Sequence, residues 1–150
     1  MNNGPQPAKF ESCRTGRPRG EVSILVVDDD PMTLRAFDSA LSRLGYSVTA
    51  FLESVEALKT FQEHPDRYDL LLTDQRMPGL EGDRLAEEVI HIRPGMPVIL
   101  CTGFSNSISA GEAKAKGIRG FLLKPFSLED LADAVGRVLM ENGSCQGREN

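Results

Sequence analysis

Residues 69–79 read Asp-Leu-Leu-Leu-Thr-Asp-Gln-Arg-Met-Pro-Gly. The apolar run Leu70 to Leu72 leads to a carboxylate at Asp74, and Pro78 and Gly79 then break the chain. A short apolar run bounded by Pro and Gly reads as a buried strand. In an open parallel sheet, side chains at the carboxyl ends of the strands look into the ligand crevice. An unpaired Asp at the lip of a core is costly, so the reading turns on what comes to meet Asp74.

Outward from this stretch the chain repeats one pattern. Val22 to Val27 is an apolar, β-branched run ending in Asp28-Asp29-Asp30. Asp30 is placed as N-cap and Pro31 as the first residue of a helix whose apolar positions are Leu34, Phe37, Leu41 and Leu44, closed by Gly45. Tyr46, Val48 and Ala50 alternate as in an edge strand. Ser54 is expected to cap a second helix carrying Val55, Leu58 and Phe61, ended by His64-Pro65. After the strand to Asp74, Leu85, Val89 and Ile92 mark a third helix. Pro97 to Cys101 reads as a strand ending in Thr102-Gly103. A fourth helix with a thin apolar face, Ile108 and Ala113, is expected over Ser107 to Lys116. Ile118 to Leu123 reads as the last strand, ending in Lys124-Pro125. Ser127 is expected to cap a final helix with Glu129 and Asp130 in its first turn and Leu128, Leu131, Val135 and Val138 on its buried face.

Strand and helix thus alternate five times, which calls for a parallel sheet covered on both faces by right-handed crossovers. The expected class is α/β, a flavodoxin-like, doubly wound, five-stranded sheet of order 2-1-3-4-5 in a three-layer (βα)5 sandwich. Residues 21–141 form the expected domain. Residues 1–20 mix Pro, Gly, Ser and scattered cations and read as a disordered tail or linker, and 142–150 as a frayed tail.

The chain has 150 residues and a net charge of −5. That length suits one domain with a full core, and the charge argues against direct nucleic-acid binding. Cys13, Cys101 and Cys145 lack C-x-x-C spacing, which suits free thiols in a reducing compartment rather than a disulfide framework or a zinc site. With no long apolar segment and no signal-peptide core, a cytoplasmic protein without membrane association is expected.

The order 2-1-3-4-5 puts its switch point between the strands ending in Asp28-Asp29 and in Asp74. Converging carboxylates repel unless a cation neutralises them. An all-oxygen ligand set suits Mg²⁺, and the Thr102 hydroxyl with the Lys124 ammonium suits the oxygens of a transferring phosphoryl group. A carboxylate aimed there can act as nucleophile, so the site reads as Mg²⁺-assisted phosphorylation of an aspartate. Each element has a plainer reading. The three acids after the first strand can serve as a helix cap, Asp74 can cap a turn, Thr102 can simply end a strand, and Lys124 can be solvated. Their coincidence at four successive strand ends favours a site.

The motifs Val-Val-Asp28-Asp29-Asp30, Thr73-Asp74-Gln-Arg-Met-Pro-Gly, Leu-Cys-Thr102-Gly103 and Phe121-Leu-Leu-Lys124-Pro125-Phe126 resemble the receiver domain of two-component response regulators, over residues 22 to 140. The resemblance implies that Asp74 accepts a phosphoryl group from the phosphohistidine of a histidine kinase or histidine phosphotransfer domain. It implies Mg²⁺ ligation by Asp29, Asp74 and the backbone carbonyl of Arg76, with Asp28 acting through water. It also implies phosphoryl contacts by Thr102 and Lys124, a cis Lys124–Pro125 bond, and Phe121 as a switch aromatic coupled to Thr102, a residue that core packing alone would also account for. The surface of the fourth helix, fifth strand and fifth helix would then meet a downstream protein partner or a second copy. Arg76 and Phe104 occupy positions that tune phosphoryl lifetime in such proteins. The wording Asp-Gln-Arg-Met-Pro and Cys-Thr-Gly-Phe-Ser resembles receivers attached to hybrid sensor kinases. On this reading the chain is not a turnover enzyme; it catalyses only its own phosphorylation and dephosphorylation. Two other classes fit parts of the pattern. Asp28-x-Asp30 half-fits the motif of haloacid-dehalogenase-like Mg²⁺ phosphatases, although Met32 stands where that motif wants Thr or Val. A phosphate-independent pseudo-receiver would bind partners without using Asp74.

Overall fold

The structure, a computed structural model, describes residues 22–103 and 108–143. The expected tail 1–20, Phe104, Ser107 and residues 144–150 lie outside the described residues. Strands and helices alternate as β1 (Ser23–Val27), α1 (Pro31–Arg43), β2 (Ser47–Phe51), α2 (Ser54–Glu63), β3 (Leu70–Asp74), α3 (Gly82–Ile92), β4 (Val98–Thr102), α4 (Ala110–Ala115), β5 (Gly120–Leu123) and α5 (Leu128–Gly143). All pairings are parallel and the sheet order is β2-β1-β3-β4-β5. This is the flavodoxin-like doubly wound sheet that the alternation predicts. Among the described residues, no helix is long and apolar enough to cross a membrane.

A parallel sheet covered on both faces needs apolar side chains on both. Ile24, Val26, Leu70, Leu72 and Ile99 point to the side of α1 and α5, where Phe37, Leu41, Leu131, Val135 and Val138 receive them. Leu25, Val27, Leu71, Val98 and Leu100 point to the side of α2, α3 and α4, against Ala57, Phe61, Leu85, Val89 and Ala113. Every residue of β3 and β4 is buried, while β2, at the edge, is only partly so.

Helix ends follow local chemistry, with some departures from expectation. Asp30 caps α1, its Oδ1 accepting from Met32 N at 3.2 Å, with Pro31 in the first turn. At α5, Ser127 Oγ accepts from Asp130 N and Asp130 Oδ2 accepts from Ser127 N, both at 3.0 Å, a reciprocal cap. Ser54 does not cap α2. Glu53 occupies the cap position without a side-chain bond, and Ser54 is the first helical residue, its hydroxyl buried with no hydrogen-bond partner. Val55 and Leu128, expected on buried faces, sit in the first turns of α2 and α5 and are exposed at 58% and 47%; Ala57, Ala134 and Leu139 are buried instead. The fourth helix is shorter than expected, six residues, because Ser109 caps it through a full capping box with Glu112. The final helix runs to Gly143, two residues past the expected domain boundary.

Close packing leaves α5 little slack over the sheet. A Cβ added at Gly120 of β5 would lie 2.7 Å from Ile99 Cγ1 and 3.0 Å from Val138 Cγ2. Gly120→Ala should therefore destabilise the protein by about 1–3 kcal/mol through overpacking, read as a lower urea midpoint. An unchanged midpoint would mean that α5 rides up without cost.

Candidate functional site

The strand register assembles the site. Val27 pairs with Thr73, so Asp28 comes level with Asp74 on the neighbouring strand. Asp74 pairs with Cys101, and Thr102 with Leu123, so Thr102 stands one residue past Asp74 along the same rim and Lys124 one residue past Thr102. The backbone continues these ladders past the strands: Asp28 N donates to Phe51 O at 3.2 Å, and Lys124 N to Thr102 O at 2.8 Å.

Among the described residues, Asp28, Asp29 and Asp74 each offer a carboxylate oxygen, all within 4.8 Å of one another. Asp28 and Asp74 are buried and Asp29 is exposed. Lys124 Nζ lies 2.9 Å from Asp74 Oδ1 and 3.5 Å from Asp28 Oδ2. Thr102 is buried, with its hydroxyl donating to Gly103 O at 3.3 Å. The structure therefore brings together Asp28, Asp29, Asp74, Thr102 and Lys124. The Arg76 side chain is exposed. Phe121 is half-buried against the core on the α2–α3–α4 side. The Lys124–Pro125 bond is cis.

Burial pushes the Asp28 carboxyl up from its ordinary pKa; a bond from Asp30 N opposes this, the charge of Asp74 adds to it, and Lys124 opposes it. For Lys124, burial alone would lower the pKa. The bond to Asp74 and the charges of Asp28 and Asp74 outweigh it and hold the ammonium above its ordinary range. Burial also pushes the Cys101 thiol up, so beside this site Cys101 is an inert apolar side chain rather than a nucleophile. One ammonium facing three carboxylates leaves excess negative charge on oxygen ligands, the donor set that suits a hard cation.

Two residues escaped the sequence reading. Gln75 is buried and its side chain closes on Asp83: Gln75 Oε1 accepts from Asp83 N at 2.9 Å and Gln75 Nε2 donates to Asp83 Oδ1 at 3.2 Å. A Cβ at Gly82 would stand 2.1 Å from the Asp74 carbonyl oxygen, so only glycine lets α3 start directly against the strand end. The one available signal was the glycine itself, in the loop ahead of the third helix.

A family model described as response regulator receiver domain matches residues 24–136. The chain is 30% identical over 129 residues to the two-component response regulator ORR22 of Oryza sativa subsp. indica, covering 86% of this chain and 18% of that one. It is 33% identical over 119 residues to the transcriptional regulatory protein GlrR of Escherichia coli (strain K12), covering 79% and 26%. It thus spans about a quarter or less of the length of these curated relatives. Among solved structures it is similar to a response regulator receiver domain protein from Clostridium thermocellum, with TM-score 0.76 and 32% identity over 80% of this chain and 95% of that one. It is similar also to a CheY-like receiver domain protein from Methanospirillum hungatei JF-1, with TM-score 0.73 and 30% identity over 81% and 95%.

A carboxyl whose pKa the fold raises contributes stability only while protonated; that contribution is present in acid and is lost as pH rises through the raised value. At neutral pH the charged Asp28 is therefore a cost in the metal-free protein. Asp28→Asn keeps an acceptor for Asp30 N, and Lys124 keeps Asp74. It should stabilise the metal-free chain at pH 7 by on the order of 1 kcal/mol, raising the thermal midpoint by about 2–4 °C, with the gain shrinking in acid. A midpoint that falls at pH 7 in the presence of a chelator would overturn this account of Asp28.

Proposed function

The chain belongs to the response regulator receiver domain family, and from that membership we propose that it is the phosphoacceptor of a two-component phosphorelay, with Asp74 as the acceptor. The supporting observation is the convergence of the Asp28, Asp29 and Asp74 carboxylates within 4.8 Å, with Lys124 Nζ 2.9 Å from Asp74. An Asp74 Oδ attacks the phosphorus of a phosphohistidine, on a histidine kinase or a histidine phosphotransfer domain. The new P–O bond forms as the P–N bond breaks, and the departing imidazole takes a proton from water. Lys124 moves from pairing with the carboxylate to pairing with phosphoryl oxygens, and the buried Thr102 hydroxyl supplies a second donor. Mg²⁺ held by Asp29, Asp74 and the Arg76 carbonyl, with Asp28 through water, would offset the charge of the incoming oxygens.

The chain acts on itself rather than turning over a substrate, and its output is contact with a downstream protein. The face of α4, β5 and α5 is the proposed contact surface. It holds a groove of about 490 Å³ lined by Ala113, Ile118, Phe121, Ala134 and Val138 among others. The phosphatase alternative loses support at Asp30. Both carboxylate oxygens of that residue are engaged at the start of α1, by Met32 N and by the Thr33 hydroxyl.

Intact mass after incubation with acetyl phosphate tests the proposal. Wild type should gain one phosphoryl group only with Mg²⁺, and Asp74→Asn should gain none. A gain that persists in Asp74→Asn would move the acceptor to another carboxylate. No gain in wild type would favour a phosphate-independent binding module.

A further inference from the structure

The residue after the proposed acceptor is a buried amide held on all sides. Gln75 N donates to Cys101 O and Gln75 O accepts from Gly82 N, both at 2.9 Å. Its side chain accepts from Asp83 N and donates to Asp83 Oδ1. Gln75 thereby replaces the missing cap of α3, since Glu81, at the cap position, makes no side-chain bond there. Capping needs only the acceptors. The amide donor does something further, because it fixes one oxygen of Asp83 while the other, Oδ2, lies 3.5 Å from Lys116 Nζ. Lys116 also reaches Glu87 Oε2 at 3.0 Å. It is the residue that ends α4.

We propose that Gln75 is a positioning residue for Asp74, and that the chain Gln75–Asp83–Lys116 couples the acceptor strand end to the C-terminal end of α4. This rests on the reading of Asp74 as phosphoacceptor. The physical case is one of relative strength. On the Asp74 side the contact is unyielding, since Gly82 lies against the Asp74 carbonyl with no room for a methyl group. On the other side α4 has six residues, with Ala113 as its only buried member and Ile108 just ahead of it. An ion pair that adds little to a well-anchored helix is a large share of what holds this one. Coupling is reciprocal, so whatever hold Lys116 exerts on the Asp74 loop is returned to α4 when Asp74 changes.

The test is a double-mutant cycle on the rate of Asp74 phosphorylation by acetyl phosphate with Mg²⁺. The variants are Lys116→Gln, which touches none of Asp28, Asp29, Asp74, Thr102 or Lys124, and Gln75→Met, which keeps the bulk and removes both amide bonds. Lys116→Gln should slow phosphorylation about threefold in the wild-type background and have little effect beside Gln75→Met, since residues of one network are non-additive. No slowing overturns the coupling. Equal slowing in both backgrounds also overturns it, because loss of a positive charge acting through space does not need Gln75. Hydrogen exchange at the Asp83 amide reads the clamp without any phosphoryl group and should be faster in Lys116→Gln. If Gln75→Met fails to fold, that exchange rate decides, and an unchanged rate sinks the proposal. A wild type that takes up no phosphoryl group while Asp83 exchange responds to Lys116 would instead sink the acceptor reading and leave the clamp standing.

Discussion

One ammonium stands among three carboxylates at the rim of the sheet, and the rest of the site takes its character from that imbalance. Lys124 reaches Asp74 at 2.9 Å and Asp28 at 3.5 Å. Its own burial would favour the neutral amine, yet the acids around it keep it charged. Asp28 is pushed the other way by burial and by Asp74. The fold brings these groups together without fully satisfying them. A ligand that binds only the folded state and supplies the missing positive charge therefore stabilises it by mass action.

Such a rim persists because the remainder of the domain is well satisfied. β3 and β4 are buried along their whole length, and both faces of the sheet carry their own apolar core. The topology then decides where the unsatisfied groups can sit. In the order β2-β1-β3-β4-β5 the two acid-bearing strands are neighbours, and the crossovers leave them in opposite directions, so a crevice opens where the carboxylates end. Stability is held in the layers and chemistry at their edge, as expected where local rules are broken for function.

The sequence was most legible where one physical cause acts alone. Apolar runs marked β1, β3, β4 and β5 and alternation marked the edge strand β2, and the order followed from five alternating units. Asp28, Asp29, Asp74, Thr102 and Lys124 were each ambiguous by themselves, yet the register brings them to one rim. Errors fell where tertiary placement overrides local preference. Ser54 has good capping chemistry but enters the helix one residue too late, so Glu53 holds the cap position with no side-chain bond. Val55 and Leu128 have the right periodicity but sit in the first turns of their helices and are exposed. Gln75 could not be found at all, because its partner Asp83 is eight residues away across a loop whose path no pattern predicts. Gly82 was visible as a residue but not as a contact, since the nearness of the Asp74 carbonyl is a property of the folded loop.

The helices around the sheet are unequal, and that inequality gives a change at the rim a direction. α1 is capped by Asp30 and anchored by Leu34, Phe37 and Leu41. α3 is anchored by Leu85, Ala86 and Val89 and clamped at its start by Gln75. α5 lies along the sheet with Leu131, Val135, Val138 and Leu139 buried. α4 has a capping box and one buried alanine. Local opening free energy follows buried apolar surface, so of the helices flanking the strand ends α4 is the least costly to move. On the proposed reading, new charge at Asp74 would act on Lys124, which follows β5, and on the Gln75 loop, whose partner Asp83 faces Lys116 at the end of α4. On that reading α4 is the element with least to hold it against such a change, and its residues line the groove that also contains Phe121.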